Sequence, residues 1–393
     1  MDNSNNRIKN FSCSTKIRQG NYNFTIHTGN LKEKTLILSE IFREGQYITK
    51  RELPYDVRLD SKQKIQYDYL SEMTRQFHLT IADRLEALFS ISAKLEKKGT
   101  VQAHYQLGVI FLNLSFLDEA EKHFKLAIQS QTDYIRAHFG LAIIKLRKKL
   151  YKDALLILRN CMDITSSFAD FHNLNGVIHL FMEDYARAIE SFKKAIEINP
   201  NYIESQLNLG LAIYYNALLG VENEKSIGIP ARVSIYLKQL MTQKKYQSIA
   251  WQKRFKEILE LIKSSNHQLL QTEMKKFLLE ITNLSSEKDR IFEFFLRFIY
   301  GGREITLDTL EEYEAEFKLL LKEYGNYPDL WNDLSIFRLV KSRVFLLKAL
   351  HAFKQASNSP IEGNEGIQNY ELIRTKEKGF LLLLRALLKN SSM

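Results

Sequence analysis

The stretch HYQLGVIFLNLSFLDEAEKHFKLA at residues 104–127 decides the fold, because it returns twice at intervals of 34 residues. The copies are HFGLAIIKLRKKLYKDALLILRNC at 138–161 and HNLNGVIHLFMEDYARAIESFKKA at 172–195. Small and large residues recur in register: Gly108, Ala142 and Gly176; Ala120, Ala154 and Ala188; Phe124, Leu158 and Phe192; Ala127, Cys161 and Ala195. A fixed period of this length is typical of stacked helix pairs that cross closely at their small residues.

These columns resemble the tetratricopeptide repeat family. The family's L-G-x-x-F start is seen in Leu107-Gly108 with Phe111, and Asn199-Pro200 closes the third copy. Its A-x-x-x-F-x-x-A pattern occurs at Ala120, Phe124, Ala127, and again at Ala188, Phe192, Ala195. The resemblance covers about residues 101–216. It implies a mainly α-helical chain, an α-solenoid of helix pairs that binds proteins.

The rest of the chain is predicted from composition and periodicity. We expect five segments: an N-terminal leader, a long helical connector, the repeats with the first helix of a fourth copy, a helical insert, and a degenerate repeat with a capping helix. Their boundaries are 1–60, 61–100, 101–217, 218–325 and 326–393. Gly220, Gly228 and Pro230 predict a loop at the start of the insert.

The leader differs from the repeats, because residues 21–28 and 35–53 are rich in β-branched and aromatic side chains. The sequence Arg43-Glu44-Gly45-Gln46 lies between two such runs and predicts a β-hairpin turn. The connector that follows has apolar residues at helical spacing from Ile65 to Phe89, and we expect one break in it.

The repeat pattern returns weakly near the C-terminus. Residues 327–332 echo residues 168–173, and Ala349, Phe353 and Ala356 keep the spacing of a second repeat helix. A last helix over about 369–389 carries an apolar run from Phe380 to Leu384 and suits a cap on the array.

Composition excludes several classes of protein. Among 393 residues, 45% are hydrophobic and 26% charged, which rules out wholesale disorder. No run reaches the roughly 18 apolar residues that a membrane-spanning helix needs. The N-terminus is polar and lacks a secretory signal pattern, so a cytoplasmic location is expected. The alternative is a peripheral location at the inner membrane or on its periplasmic side.

The formal net charge of +10 suggests an acidic partner at first sight. However, residues 101–220 carry twelve basic and twelve acidic residues, so the repeats are neutral. The densest basic group is Lys145, Arg147, Lys148, Lys149 and Lys152, where we expect a solvated turn. Clustered arginines with interleaved aromatic residues are missing, so we expect no nucleic-acid partner and only an indirect link to membranes.

The sequence offers no catalytic or cofactor motif, and we expect neither an enzyme nor a cofactor. His104, His138 and His172 lie 34 residues apart and invite a metal-ladder interpretation. Neighbouring helices are about 10 Å apart, too far for one zinc ion with bonds near 2 Å, so packing is the preferred interpretation and no metal site is predicted. Cys13 and Cys161 belong to no Cys-x-x-Cys pair.

The resemblance places the partner-binding groove on the first helix of each repeat. Chaperone-binding members hold a carboxylate there with Lys and Asn, but Tyr105 and Val109 occupy those positions here. An apolar groove of this size should bury either a partner segment or the chain's own insert or hairpin, the latter slightly favoured. Its predicted lining is Tyr105, Val109, Leu112, Phe139, Ile143, Leu146, Asn173, Val177, Leu180, Leu207, Leu211 and Tyr214.

These observations predict a non-enzymatic scaffold or adaptor that binds protein through its concave surface. The chain is similar to bacterial repeat proteins of the spirochaete type, some of which build envelope machines such as the collar of the periplasmic flagellar motor. The alternative is a regulatory switch in which a peptide or signal releases a sequestered target protein. The partner's identity and the oligomeric state stay open.

Overall fold

The computed structural model describes residues 11–19, 22–31, 35–55, 67–164, 168–219, 231–247, 249–264, 267–284 and 289–301, then 310–311, 313–314, 318, 328–357, 370–380 and 382. The chain forms two compact units. The first comprises Met1–Asp83 and Leu95–Asp289, and the second comprises Arg84–Lys94 and Arg290–Met393. The predicted loop at 220–230 lies outside the described residues. The predicted boundaries near 60 and 325 do too.

The leader is a four-stranded antiparallel sheet in the order β1-β2-β3-β4. Its strands are β1 Ser12–Gln19, β2 Tyr22–Leu31, β3 Leu36–Arg43 and β4 Gln46–Pro54. The predicted hairpin turn joins β3 to β4, with positive φ at both Glu44 and Gly45, as a tight hairpin requires. The sequence analysis overlooked β1, although Cys13, Thr15 and Ile17 alternate there with polar residues.

The long helix α1, Tyr67–Lys98, follows the sheet and packs on it. The expected break in the connector is wrong: the helix runs 32 residues because it contains no glycine or proline. Ile37, Tyr55 and Leu70 form a core between sheet and helix. Polar contacts join the same surfaces, since the His78 ring lies 2.7 Å from Thr15 Oγ1 and 2.9 Å from Thr28 Oγ1.

Three helix pairs follow, as the 34-residue period predicts. They are α2 Val101–Asn113 with α3 Leu117–Ser130, α4 Ile135–Arg147 with α5 Tyr151–Ile164, and α6 Ala169–Phe181 with α7 Tyr185–Ile198. Each first helix is followed by a residue with positive φ at the same repeat position, namely Ser115, Lys149 and Glu183. The array of packed pairs therefore has one repeated turn geometry.

Close packing between pairs depends on glycine. A Cβ on Gly108 would lie 2.7 Å from the Phe124 ring, and one on Gly140, in the next pair, would lie 2.6 Å from the same ring. Gly176 has the same relation to Phe192, again at 2.6 Å. Small residues therefore let each second helix insert an aromatic ring against the first helices.

The array continues beyond the recognisable repeats. Helix α8, Ile203–Leu218, packs against α9, Ala231–Thr242, which packs in turn against α10, Ile249–Lys263. Helix α11, His267–Ile281, packs on α10 through Phe255 and Phe277. The fourth copy loses its sequence pattern after α8, but α9 takes the place of its second helix.

The second unit has its own core. Helix α12, Asp289–Leu296, leads into a π-helical turn over Arg297–Gly301, and Arg84 binds Glu293 with N–O distances of 2.7–3.1 Å. The core combines Phe294, Phe295, Leu310, Tyr313, Leu334, Ile336, Phe337 and Val340.

The predicted degenerate repeat in this unit is corrected by the structure. Both of its halves lie on one helix, α13, Pro328–Ser357, rather than on a helix pair. No glycine or proline follows Pro328 within α13, so nothing interrupts the helix between the two halves. Residues 370–380 are helical as predicted, and Phe380 packs on the core, while residues 383–389 lie outside the described part. No described helix is long and apolar enough to cross a membrane.

Candidate functional site

The predicted groove residues lie on α2, α4, α6 and α8, but the structure covers most of them. Only Tyr105 and Phe139 are half-buried. The other ten have exposed fractions from 0 to 8%: Val109, Leu112, Ile143, Leu146, Asn173, Val177, Leu180, Leu207, Leu211 and Tyr214. A partner could therefore touch only two of the twelve predicted positions without a rearrangement of the chain.

The two half-buried aromatic residues belong to ring clusters. The Tyr105 ring packs 5.6 Å from Tyr134 and 6.0 Å from Phe124, measured between ring centroids. Phe139 packs 5.0 Å from Phe171 in the next repeat. These contacts connect successive first helices along the inner face of the array.

Asn173 is the one polar member of the predicted groove, and it organises a small hydrogen-bond network. Its Nδ2 donates to the Tyr202 hydroxyl at 3.3 Å, and its Oδ1 accepts from Asn208 Nδ2 at 2.9 Å. Burial raises the pKa of Tyr202, and Asp170 adds to the effect. Tyr202 therefore stays a neutral phenol in this network.

The sheet docks on the turn between α2 and α3. Arg43 on β3 forms ion pairs with Asp118 at 2.9 Å and Glu119 at 2.7 Å. Phe24 contacts Phe116 edge to face with ring centroids 5.8 Å apart. Burial raises the pKa of Glu119 against the lowering effect of Arg43, which marks this contact as partly desolvated.

The predicted solvated basic turn is partly consumed by internal contacts. Lys145 and Lys148 both bind Glu121, at 2.9 and 2.7 Å. Burial alone would raise the pKa of Glu121, but hydrogen bonds from Lys125 and these two lysines lower it to about 2. Arg147 donates to the Leu112 carbonyl at 3.2 Å, and burial lowers the pKa of its guanidinium. The basic residues therefore join repeats 1 and 2 to each other.

The histidine column does not converge. His104 Nδ1 lies 3.0 Å from Nδ1 of His123, a residue on α3 that the column does not contain. His138 lies 2.8 Å from the Thr132 carbonyl instead. Among the described residues, no group of three or more His, Cys, Asp or Glu side chains could hold a metal ion. The 34-residue spacing therefore reflects repeat packing.

The far end of the first unit is tied back to the repeats. Tyr185 stacks on Tyr215 with ring centroids 5.7 Å apart, and the Tyr215 hydroxyl donates to the Gln271 carbonyl on α11. Lys275, also on α11, binds Glu183 at 2.9 Å. Sequence reasoning missed these contacts, because α11 carries no repeat signature.

Comparison with known proteins agrees with the repeat geometry. The family model described as tetratricopeptide repeat matches residues 169–202, which contain α6 and α7. No curated protein matches the chain.

Several solved structures are similar to parts of the chain. The crystal structure of MamA is 20% identical, covering 42% of this chain and 94% of that one with a TM-score of 0.34. The thermophilic TPR protein TTC0263 of Thermus thermophilus is 18% identical, covering 59% and 95%, with a TM-score of 0.31. An O-GlcNAc transferase mutant of Thermobaculum terrenum is 19% identical, covering 42% of this chain and only 26% of that one, with a TM-score of 0.28.

The matched copy at 169–202 shares its columns with the two preceding copies, and all three form the same helix pair with the same turn. The chain therefore contains tetratricopeptide repeats.

Proposed function

We propose that this protein is a non-enzymatic scaffold or adaptor for protein–protein interaction. The observation that carries the proposal is the continuous series of packed helices from α2 to α11, of which the first six are tetratricopeptide repeats. Arrays of this kind are typically non-catalytic and offer long surfaces to protein partners. Affinity purification of the full chain with identification of bound proteins tests the proposal, and failure to retain any partner counts against it.

The route by which a partner binds is tested on the groove. Tyr105→Lys and Phe139→Lys change half-buried residues, whereas Leu180→Lys places a charge at a fully buried position. If partners use the inner face, the first two variants lose the captured protein at unchanged thermal stability. Leu180→Lys should instead lower the melting temperature by several degrees, because about 1.5–3 kcal/mol of burial is lost. Full capture by all three folded variants argues for a surface elsewhere.

The finer proposal is a structural or assembly component of a bacterial envelope machine, such as the collar of the periplasmic flagellar motor. Its support is the sequence resemblance to repeat proteins of that kind. The location that fits is the cytoplasm or the periphery of the inner membrane. A deletion strain with normal motility and normal motor images contradicts this proposal and leaves the scaffold function standing.

A regulatory switch is the alternative function. The observation that favours it is the polar docking of the sheet on repeat 1, where Arg43 bonds to Asp118 and Glu119. Such a contact can open without exposing a large apolar core. Small-angle scattering of the full chain with and without its purified partner discriminates the two: a change of shape supports the switch, and an unchanged profile supports the scaffold.

A further inference from the structure

Strand β1 is an open edge of the leader sheet. It pairs with β2 along its whole length, from Ser12 opposite Gly29 to Gln19 opposite Tyr22. No described strand pairs with its other side, because β1 is the first strand in the sheet order. An eight-residue edge presents a row of backbone donors and acceptors that can accept another strand.

The phase of the hydrogen bonds shows which groups point outward. Asn30 N–H donates to the Phe11 carbonyl, so Phe11 and every second residue after it bond to β2. The backbone groups of the alternate residues therefore point away from the sheet. These residues are Ser12, Ser14, Lys16 and Arg18, and their side chains are all exposed.

Charge on this edge is one-sided. Lys16 and Arg18 are exposed, and neither forms an ion pair with a described residue. A second copy of β1 would bring like charges together across the new strand pair, which is destabilising. A strand with carboxylates opposite these two cations would be attracted instead.

The other half of the edge borders a shallow depression of about 410 Å³ on the outer face of the sheet. Its floor lies over Gly29, which has no side chain, and its walls include His27, Leu31 and Leu38. Ser12 and Ser14 separate the depression from the open edge and are small. A large apolar side chain on an added strand could pass over either serine and fill it.

We propose that β1 binds an extended acidic segment of a partner protein by strand addition. The backbone pairs with the outward groups of β1, carboxylates face Lys16 and Arg18, and a large apolar side chain enters the depression over Gly29. The inference rests on the proposed scaffold function and names the surface and the partner chemistry. It also places the partner away from the buried inner face of the repeats.

The test uses the full chain and two fluorescein-labelled peptides. One has the order Glu-Thr-Glu-Thr-Leu-Thr-Phe, which suits antiparallel addition, and the other has the reverse order for parallel addition. Fluorescence anisotropy should show saturable binding of one peptide and not of its Lys-for-Glu counterpart. A version that is N-methylated at alternate backbone amides should not bind, because it cannot complete the strand ladder.

Charge reversal on the edge provides the matched comparison. Lys16→Glu with Arg18→Glu should weaken binding of the acidic peptide at least tenfold. Lys149→Glu with Lys152→Glu makes the same change of charge at exposed residues of the repeats and should leave binding unchanged. Ser14→Pro should abolish binding by removing an outward N–H, with circular dichroism as a check that the sheet is intact.

Several outcomes overturn the proposal. They are equal binding of the N-methylated peptide, equal weakening by both double variants, no binding of either peptide up to about 1 mM, and a dimer that Ser14→Pro dissolves. If the full chain captures partners that the charge-reversed edge retains equally, the edge proposal fails while the scaffold function stands. Peptide binding without any captured protein has the opposite meaning.

Discussion

At the scale of single residues, the buried histidine pair on α2 and α3 makes stability depend on pH. His123 is fully buried between Phe111, which stacks on it, and His104. Burial lowers the pKa of His123 to about 3, with a further contribution from His104, and burial also lowers the pKa of His104. Both rings are therefore neutral in the folded protein at neutral pH.

The sign of the pH effect follows from this difference. The unfolded chain takes up a proton on histidine near pH 6.5, so between that pH and about 3 the unfolded state binds more protons at His123. The free energy of unfolding should therefore fall by about 2 kcal/mol between pH 7 and pH 5. Urea denaturation at both pH values measures it.

The matched variants separate this pair from other titrating groups. His123→Gln should reduce the loss of stability on acidification. His138→Gln, at the exposed histidine of the next copy, should not. Equal pH dependence in both variants and in the unchanged protein contradicts the assignment.

Gly140 is a second residue whose role is steric. A Cβ at this position would lie 2.6 Å from the Phe124 ring, which has no space to withdraw because Gly108 lies on it from the same repeat. Gly140→Ala should therefore lower the free energy of unfolding by about 1–3 kcal/mol, although alanine favours helices. Urea denaturation tests this, and adding Phe124→Leu should recover part of the loss. Stabilisation by Gly140→Ala alone would show that the ring can move.

At the scale of the element, the repeated turn after each first helix is strained. Ser115, Lys149 and Glu183 have φ of 67°, 60° and 62°. The turn is held by bonds such as Leu150 N–H to the Lys145 carbonyl at 2.9 Å, a geometry that usually has glycine at the left-handed position. Side chains with a Cβ are disfavoured there.

Lys149→Gly should therefore stabilise the protein by about 0.5–1 kcal/mol, because glycine adopts positive φ without a steric penalty. The same replacement three residues later, Lys152→Gly, lies inside the first turn of α5 and should destabilise it by a similar amount. Urea midpoints of the two variants should move in opposite directions. A shift in the same direction contradicts the turn argument.

At the scale of the whole first unit, the sheet is held on the repeats by few contacts. Arg43 bridges 75 residues of sequence to reach Asp118 and Glu119. Glu119 is buried, so removal of Arg43 leaves a carboxylate without its cation in a poorly solvated position. Arg43→Ala should lower the free energy of unfolding by about 2–4 kcal/mol, measured by urea denaturation.

An exposed pair in the same sheet serves as the control. Lys50 binds Glu52 at 2.8 Å with both side chains substantially exposed, so Lys50→Ala should cost at most about 0.5 kcal/mol. Adding Glu119→Gln to Arg43→Ala should recover part of the loss, because the buried charge disappears. Equal effects of Arg43→Ala and Lys50→Ala would mean that the docking contact is only a surface ion pair.

The sequence by itself determined the repeated helix pairs and the β3–β4 hairpin. Both depend on contacts between neighbouring segments, so a period of 34 residues or a Glu-Gly turn predicts them directly. Strand β1 was also readable from the alternation of Cys13, Thr15 and Ile17 with polar residues, although the sequence analysis overlooked it.

Only the tertiary structure decided which surfaces are covered. The inner positions such as Val109 and Leu180 look like a groove in the repeat pattern, but they are buried in the folded chain. Arg43 with Glu119, His104 with His123, and the single helix α13 likewise follow from packing between segments that share no sequence signal. Periodicity records which face of a helix is apolar, whereas its cover depends on long-range contacts.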